Sequence, residues 1–254
     1  MIEGFVWYAA YGSNMHAARL RAYLAGGAPA GTERVYPGCR DASEPVRSTA
    51  VELPGAVYFA TESPVWTGGR GYYDPGAAGV AYGRAHLLRA GQFCDIAAQE
   101  MDRPPGTDLD LAAVVAGGRL ALGPGIYETL VCAGELDGAP VLTFTAPWSL
   151  ADVRTRPPSP AYLRHLAAGL DEAGAWDADE IARYLAGLPG AAGHWTERGV
   201  RELLGETPAG TETYRPPALR PAPPAVGPAA PAAGTAAPAV RPGSGGPPAR
   251  PVRR

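Results

Sequence analysis

Lysine is absent from the 254 residues of this chain, whose 22 basic residues are all arginine. Without a lysine the protein can form no Schiff base with a carbonyl substrate. It also lacks the lysine of phosphate-binding P-loops and the ATP-binding lysine of protein kinases. The absence therefore excludes all three of these chemistries.

Cysteine is scarce, and no segment approaches the length of a membrane span. Cys39, Cys94 and Cys132 are widely spaced and include no Cys-x-x-Cys pair, which predicts free thiols in a reducing compartment. No apolar run nears the roughly 20 residues that cross a bilayer, and the N-terminus has no basic, apolar leader. We therefore expect a cytoplasmic protein that makes no contact with membranes.

Metal-ligand and nucleophile motifs are also missing. The chain has neither a His-Glu-x-x-His motif nor a Cys/His cluster, and its histidines are scattered at positions 16, 86, 165 and 194. A zinc hydrolase is disfavoured, and we expect neither a metal nor a cofactor. No Gly-x-Ser-x-Gly elbow is present, and no histidine is placed to activate Ser13. The Gly68–Gly71 run is a weak phosphate-loop candidate, and a plain loop is the better interpretation.

The composition changes near residue 207. Residues 207–254 are mostly Pro, Ala, Gly and Arg, which predicts a disordered tail, whereas residues 1–206 are long enough for one folded domain. Six arginines and no acidic residue lie from Arg215 onward, so the preceding part holds 16 basic and 25 acidic residues. That acidic balance argues against nucleic-acid binding by the domain. The composition as a whole is typical of a GC-rich, bacterial genome.

Local patterns predict alternating strands and helices. We expect strands at 5–10, 57–60 and 79–88, and a hairpin of 128–136 with 139–145 around the Asp137-Gly138 turn. Helices are expected after the first strand and at 90–101, 160–173, 178–188 and 196–204. This order predicts an α+β fold with a mixed, partly barrel-like sheet and flanking helices. In the first helix, Arg19 and Arg21 should point away from the apolar face.

Two features could carry chemistry. The turn Tyr11-Gly12-Ser13-Asn14 joins a strand to a helix, where backbone amides suit a carboxylate or an oxyanion. Glu100 ends an otherwise apolar helix; loss of solvent there would favour its uncharged form and suit it to proton transfer. On these grounds alone, a solvated carboxylate beside Gln99 and Asp102 is the simpler interpretation.

Four blocks, in order, resemble the γ-glutamylcyclotransferase family over about residues 5–175. They are Tyr11-Gly12-Ser13-Asn14, Trp66-Thr67-Gly68-Gly69, the helix ending at Glu100, and Pro157-Pro158-Ser159-Pro160-Ala161-Tyr162. The resemblance implies that a γ-glutamyl amide cyclises to 5-oxoproline and expels an amine. It also implies that Glu100 is the acid/base, and that Tyr11, Gly12, Ser13, Asn14 and Tyr162 bind the small-molecule substrate.

One departure leaves alternatives open. The family usually has glycine after the helix glutamate, whereas this chain continues Met101-Asp102-Arg103-Pro104-Pro105. A non-catalytic binding module on the same fold, an amide or acyl hydrolase with a remodelled substrate loop, and a scaffold that acts through the tail therefore remain alternatives. The sequence does not define the amine half of the substrate or the oligomeric state.

Overall fold

The computed structural model describes residues 4–29, 34–205 and 215–221. These residues form eight strands: β1 Phe5–Ala10, β2 Arg47–Pro54, β3 Ala56–Glu62, β4 Gly69–Asp74, β5 Val80–Arg89, β6 Arg119–Ala121, β7 Thr129–Leu136 and β8 Ala139–Thr145. Six of them form the main sheet in the order β2-β5-β1-β8-β7-β6, and β3 and β4 form a separate antiparallel pair.

Six helices accompany the sheets. They are α1 Ala17–Ala25, α2 Ala90–Glu100, α3 Leu111–Gly117, α4 Pro160–Ala173, α5 Ala178–Gly187 and α6 Glu197–Leu204. β1 runs parallel to β8 and antiparallel to β5, so the sheet is mixed. The predicted α+β class with a mixed sheet and flanking helices is confirmed.

The helix boundaries follow the capping residues. The Ser159 side chain accepts a hydrogen bond from the Tyr162 amide, and α4 ends at Gly174 in the left-handed conformation. Asp177 and Glu180 form the predicted capping box of α5. These contacts fix the start of α4, and with it the position of Tyr162.

Side-chain hydrogen bonds tie the β3–β4 pair to the main sheet, and the Thr145 side chain makes two of them. Oγ1 of Thr145, at the end of β8, accepts from the Tyr73 amide at 3.1 Å and donates to the Tyr73 carbonyl at 2.7 Å. The hydroxyl thus continues hydrogen bonding between the two sheets where no backbone ladder joins them. The two sheets enclose one hydrophobic core that includes residues of both.

A short part of the segment predicted as a tail is described. Residues 215–221 lie beside β7, where Arg220 and Glu135 exchange two backbone hydrogen bonds of 2.9 Å. Residues 206–214 and 222–254 lie outside the described residues.

The structure also describes the three cysteines and the lengths of the helices. Cys39, Cys94 and Cys132 are free thiols, and two of the three are buried. Among the described residues, every helix is too short or too polar to cross a membrane.

Candidate functional site

A cavity of about 160 Å³ opens where the end of β1, the end of α2 and the start of α4 meet. All six residues predicted for the site line it: Tyr11, Gly12, Ser13, Asn14, Glu100 and Tyr162. The structure therefore brings the three predicted site segments together around one space.

The turn after β1 presents its backbone amides at this cavity. A short 3-10 helix, Ser13–Met15, begins after Gly12, whose carbonyl accepts from the Met15 amide at 3.1 Å. Among the described residues, the amides of Gly12, Ser13 and Asn14 donate to no partner. Free amides at the start of a helical turn carry partial positive charge and can bind a carboxylate or an oxyanion.

Glu100 is the last residue of α2 and is half-buried. Its Oε1 accepts a hydrogen bond of 2.8 Å from Nδ2 of Asn14. Because Asn14 is buried, the contact holds the carboxylate at the cavity wall rather than in bulk solvent. Burial, and then the nearby Glu100 carboxylate, raise the pKa of Tyr23 well above its ordinary value, so a protonated hydroxyl lies beside the carboxylate.

Asn14 is itself held in place by a hydrogen bond to Tyr8 of strand β1. Its Nδ2 also donates to the Tyr8 hydroxyl at 3.2 Å, while its Oδ1 has no hydrogen-bond partner within the described part of the chain. Burial, and then the nearby Glu100 carboxylate, raise the pKa of Tyr8 well above its ordinary value. Tyr8 therefore stays protonated, as an uncharged neighbour of the carboxylate.

The two predicted tyrosines occupy different positions. The Tyr11 hydroxyl donates to the Phe144 carbonyl at 2.8 Å, so its proton is already engaged and only its lone pairs can face a ligand. The Tyr162 hydroxyl lies beside Gly12 and Gly71, 2.7 Å from where a Cβ on Gly71 would lie. Burial raises the pKa of both tyrosines, which keeps the two hydroxyls neutral.

Two of the resembling blocks contact each other directly. The Gly69 amide donates to the Pro157 carbonyl at 2.7 Å, and a Cβ on Gly69 would lie 2.1 Å from the Arg156 carbonyl oxygen. Only glycine permits this approach of the backbones. The approach seats Trp66 against Tyr162, with ring centroids 5.8 Å apart.

Arg19 was expected to point away from the core, and this prediction is wrong. The residue is only 3% exposed and lines the cavity. Its guanidinium lies 5.0 Å from the Trp66 ring centroid and 5.7 Å from that of Tyr36. Contact with two aromatic rings stabilises the buried cation, although helical periodicity alone predicts that the Arg19 side chain is exposed to solvent.

Other cavity residues were not predicted. Tyr127 has a φ of +62°, rare for a non-glycine residue, and its hydroxyl donates to the Gly71 carbonyl at 2.9 Å. Tyr23, Tyr36, Arg34 and Arg70 also line the space. Hydrophobic periodicity does not describe the connections and strand ends that hold Tyr127, Arg34, Tyr36 and Arg70. Tyr23 is a buried residue of α1.

The segment after Glu100 completes the rim. Asp102 has a φ of +55° and pairs with Arg34 at 2.6 Å. Aspartate tolerates the left-handed conformation better than most residues, so the chain can turn here without a glycine. The segment thus adds an ion pair at the cavity mouth.

No group of three His, Cys, Asp or Glu residues in the described part of the chain could hold a metal ion.

His165 lies against Trp66, a residue that lines the cavity, with ring centroids 4.6 Å apart. Burial and the nearby Arg19 lower the pKa of His165 to about 4, so its ring is neutral near pH 7.

Comparisons with known proteins concern sequence and fold separately. No family model matches the sequence. A protein named Histone deacetylase 5 from Arabidopsis thaliana is 32% identical over 198 residues, which are 71% of this chain. The chain spans 30% of the length of that plant protein.

Two solved structures are similar to this chain in fold. A gamma-glutamyl cyclotransferase is 14% identical, with a TM-score of 0.43, covering 78% of this chain and 97% of that one. An uncharacterised protein from Homo sapiens is 15% identical, with a TM-score of 0.39, covering 68% of this chain and 82% of its own.

Proposed function

We propose that this protein is an intramolecular cyclotransferase that converts a γ-glutamyl amide into 5-oxoproline and a free amine. The observation that carries the proposal is the 2.8 Å hydrogen bond between Asn14 and Glu100, which fixes a carboxylate beside the unbonded amides of the turn. The four sequence blocks support the same reaction, since all of them contribute to this one cavity.

The reaction needs no covalent nucleophile, because both reacting groups belong to one substrate. The α-amine attacks the γ-carbonyl carbon, the new C–N bond closes a five-membered ring, and the original amide C–N bond breaks. Holding the glutamyl chain of the substrate in a folded conformation supplies much of the rate enhancement, as it does for other well-oriented intramolecular reactions.

Glu100 moves the proton. Its carboxylate takes a proton from the substrate α-ammonium, which makes the nitrogen nucleophilic, and returns it to the departing amine. One carboxyl group can serve as base and then as acid, because the two nitrogen atoms flank the same carbon. The Asn14 side chain keeps the carboxylate pointed at this place.

The amides of Gly12, Ser13 and Asn14 bind negative charge. Their donors suit the substrate α-carboxylate and the oxyanion that develops on the γ-carbonyl oxygen. The buried Tyr11 and Tyr162 close the cavity, and the Tyr162 hydroxyl can hydrogen-bond the substrate. We also propose a cytoplasmic location in a bacterium, which the free thiols and the lysine-free composition support.

The test is release of 5-oxoproline from a panel of γ-glutamyl amides by the protein and by its Glu100→Gln variant. The substitution keeps the shape and the Asn14 contact but removes the proton carrier, so we expect turnover to fall by at least ~100-fold with the fold retained. Glu202→Gln, which neutralises an exposed carboxylate on α6, is the matched control and should keep full activity.

Three results would count against the proposal. Undiminished 5-oxoproline release from Glu100→Gln would mean that another group transfers the proton. Free glutamate as the product would mean that water, rather than the α-amine, attacks the carbonyl, as in an amide hydrolase. Ligand binding without any product would instead identify a binding module.

A further inference from the structure

The guanidinium of Arg19 is a buried cation with too few partners. Its Nη2 donates to the Tyr36 hydroxyl at 3.1 Å, while Nε and Nη1 are buried and have no hydrogen-bond acceptor among the described residues. No carboxylate in the described part of the chain pairs with it, although twelve other basic side chains there form ion pairs. Buried charges in proteins are normally paired, so this one lacks a partner of opposite sign.

The surroundings suit an anion. The guanidinium carbon lies 5.0 Å from the Trp66 ring centroid and 5.7 Å from that of Tyr36, and both rings line the cavity. The aromatic rings restrict the movement of the guanidinium, and its free N–H groups can donate charge-assisted hydrogen bonds to a carboxylate.

The other cations of the cavity are less available or less confined. Arg34 is paired with Asp102, and Arg70 contacts the Glu62 carbonyl at 3.4 Å. Besides the more exposed Arg70, the described part of the cavity therefore presents free donors at the turn amides of residues 12–14 and at the buried Arg19. A substrate with two negatively charged groups would satisfy both.

We propose that Arg19 is a specificity-determining residue that binds a carboxylate on the amine half of the substrate. The inference rests on the proposed cyclotransferase function, in which the turn amides already hold the glutamyl half. It follows that amino acids or peptides with a free carboxylate are preferred leaving groups over simple amines.

The experiment uses a substrate pair that differs by one carboxylate: γ-glutamyl-alanine and γ-glutamyl-ethylamide. Release of 5-oxoproline from both is measured with the intact protein, Arg19→Gln and Arg21→Gln. Arg21 is the matched control, since it lies on the same helix but is exposed and pairs with Glu44.

We expect the intact protein and Arg21→Gln to prefer γ-glutamyl-alanine by ~10-fold or more in kcat/KM, as a charge-assisted hydrogen bond supplies. In Arg19→Gln this preference should fall below ~3-fold, through a higher KM for γ-glutamyl-alanine, with turnover of the ethylamide kept. A purely structural role for Arg19 would reduce both substrates together and leave their ratio unchanged.

Equal kcat/KM values for the two substrates in the intact protein would overturn the proposal, and so would a preference that survives Arg19→Gln. If Arg19→Gln does not fold, Arg19→Lys keeps the positive charge and should retain part of the preference; an unchanged or absent preference in that variant would count against the proposal.

Failure of the reaction itself would be seen separately. If neither substrate releases 5-oxoproline, calorimetry measures binding of the same two compounds to the intact protein and to Arg19→Gln. Tighter binding of γ-glutamyl-alanine that is lost in Arg19→Gln would keep the carboxylate subsite while rejecting the cyclotransferase. Equal binding of both compounds would reject the subsite.

Discussion

Asn14 and Glu100 are joined by a hydrogen bond of 2.8 Å although 86 positions separate them in the chain. One residue ends a turn after the first strand, and the other ends helix α2. The contact therefore connects the donors of the turn to the carboxylate, so that in the proposed reaction charge binding and proton transfer would occur at one place. Asn14 also reaches Tyr8 in the sheet, which anchors the pair to the core.

Replacing Asn14 by alanine tests this connection. Asn14→Ala leaves the Glu100 carboxylate without its donor, so the carboxylate can rotate away from the substrate. We expect kcat for 5-oxoproline release to fall by ~10- to 100-fold, part of the contribution of a positioned acid or base. KM should change little, because the backbone amides remain. Steady-state kinetics would measure this, with circular dichroism to check the fold; an unchanged kcat would show that Glu100 needs no positioning.

Gly71 tests the position of Tyr162. A Cβ at Gly71 would lie 2.7 Å from the Tyr162 hydroxyl, so Gly71→Ala must push that side chain aside. We expect a loss of ~10-fold or more in kcat/KM, since small displacements of site groups are costly.

Gly187 provides the matched control for this substitution. A Cβ there meets nothing within 4 Å at the end of α5. Gly187→Ala should keep full activity and stabilise the helix by up to about 1 kcal/mol. Equal activity of Gly71→Ala and Gly187→Ala would mean that Tyr162 is not part of the site.

Local chemistry explains which elements the sequence predicts. The Ser159-Pro160 start and Gly174 end of α4 depend on caps within a few residues, and the turn at Asp137-Gly138 depends on two, with Asp137 at a φ of +51°. These signals act over short range, so pattern alone locates the elements. The site residues named from the four blocks all line one cavity for a related reason, since the blocks lie at element ends.

Packing against other segments explains what pattern does not predict. Arg19 is charged, so the pattern predicts it away from the apolar face of α1, yet it is buried beside Trp66 and Tyr36. β4 contains three glycine or arginine residues among its six, and it forms a strand because β3 pairs with it. Neither outcome has a signal in its own stretch of sequence, because each depends on residues outside that stretch.

His86 predicts how stability depends on pH. It is buried in β5, with Nδ1 2.8 Å from the Ser48 hydroxyl, and burial together with Arg84 lowers its pKa from 6.5 to about 3. The unfolded chain therefore binds a proton that the folded protein does not between these values. His86 therefore does not lower the free energy of unfolding above about pH 6.5, and it lowers this free energy progressively as the pH falls towards 3.

Urea unfolding at pH 6.5 and 4.5 measures the effect. This histidine should contribute about 2 kcal/mol to the decrease in the free energy of unfolding between the two values. His86→Gln should show a decrease smaller by that amount, whereas His194→Gln, at an exposed position, should match the unmodified protein. An identical pH dependence for all three proteins would show that His86 is protonated in the folded state.

Residues 215–221 predict a difference between two truncations. Arg220 exchanges two backbone hydrogen bonds with Glu135, and the carbonyl of Arg220 would lie 2.2 Å from a Cβ on Gly134, so the segment lies closely against β7. Deleting 215–254 removes these bonds, whereas deleting 222–254 keeps them. We expect the longer deletion to lower the free energy of unfolding by about 1–3 kcal/mol and the shorter one to leave it unchanged.

Both deletion variants should retain 5-oxoproline release, because the cavity lies elsewhere. Loss of the protein's function with either deletion, while the Glu100→Gln variant keeps that function, would instead favour a scaffold that acts through its C-terminal segment.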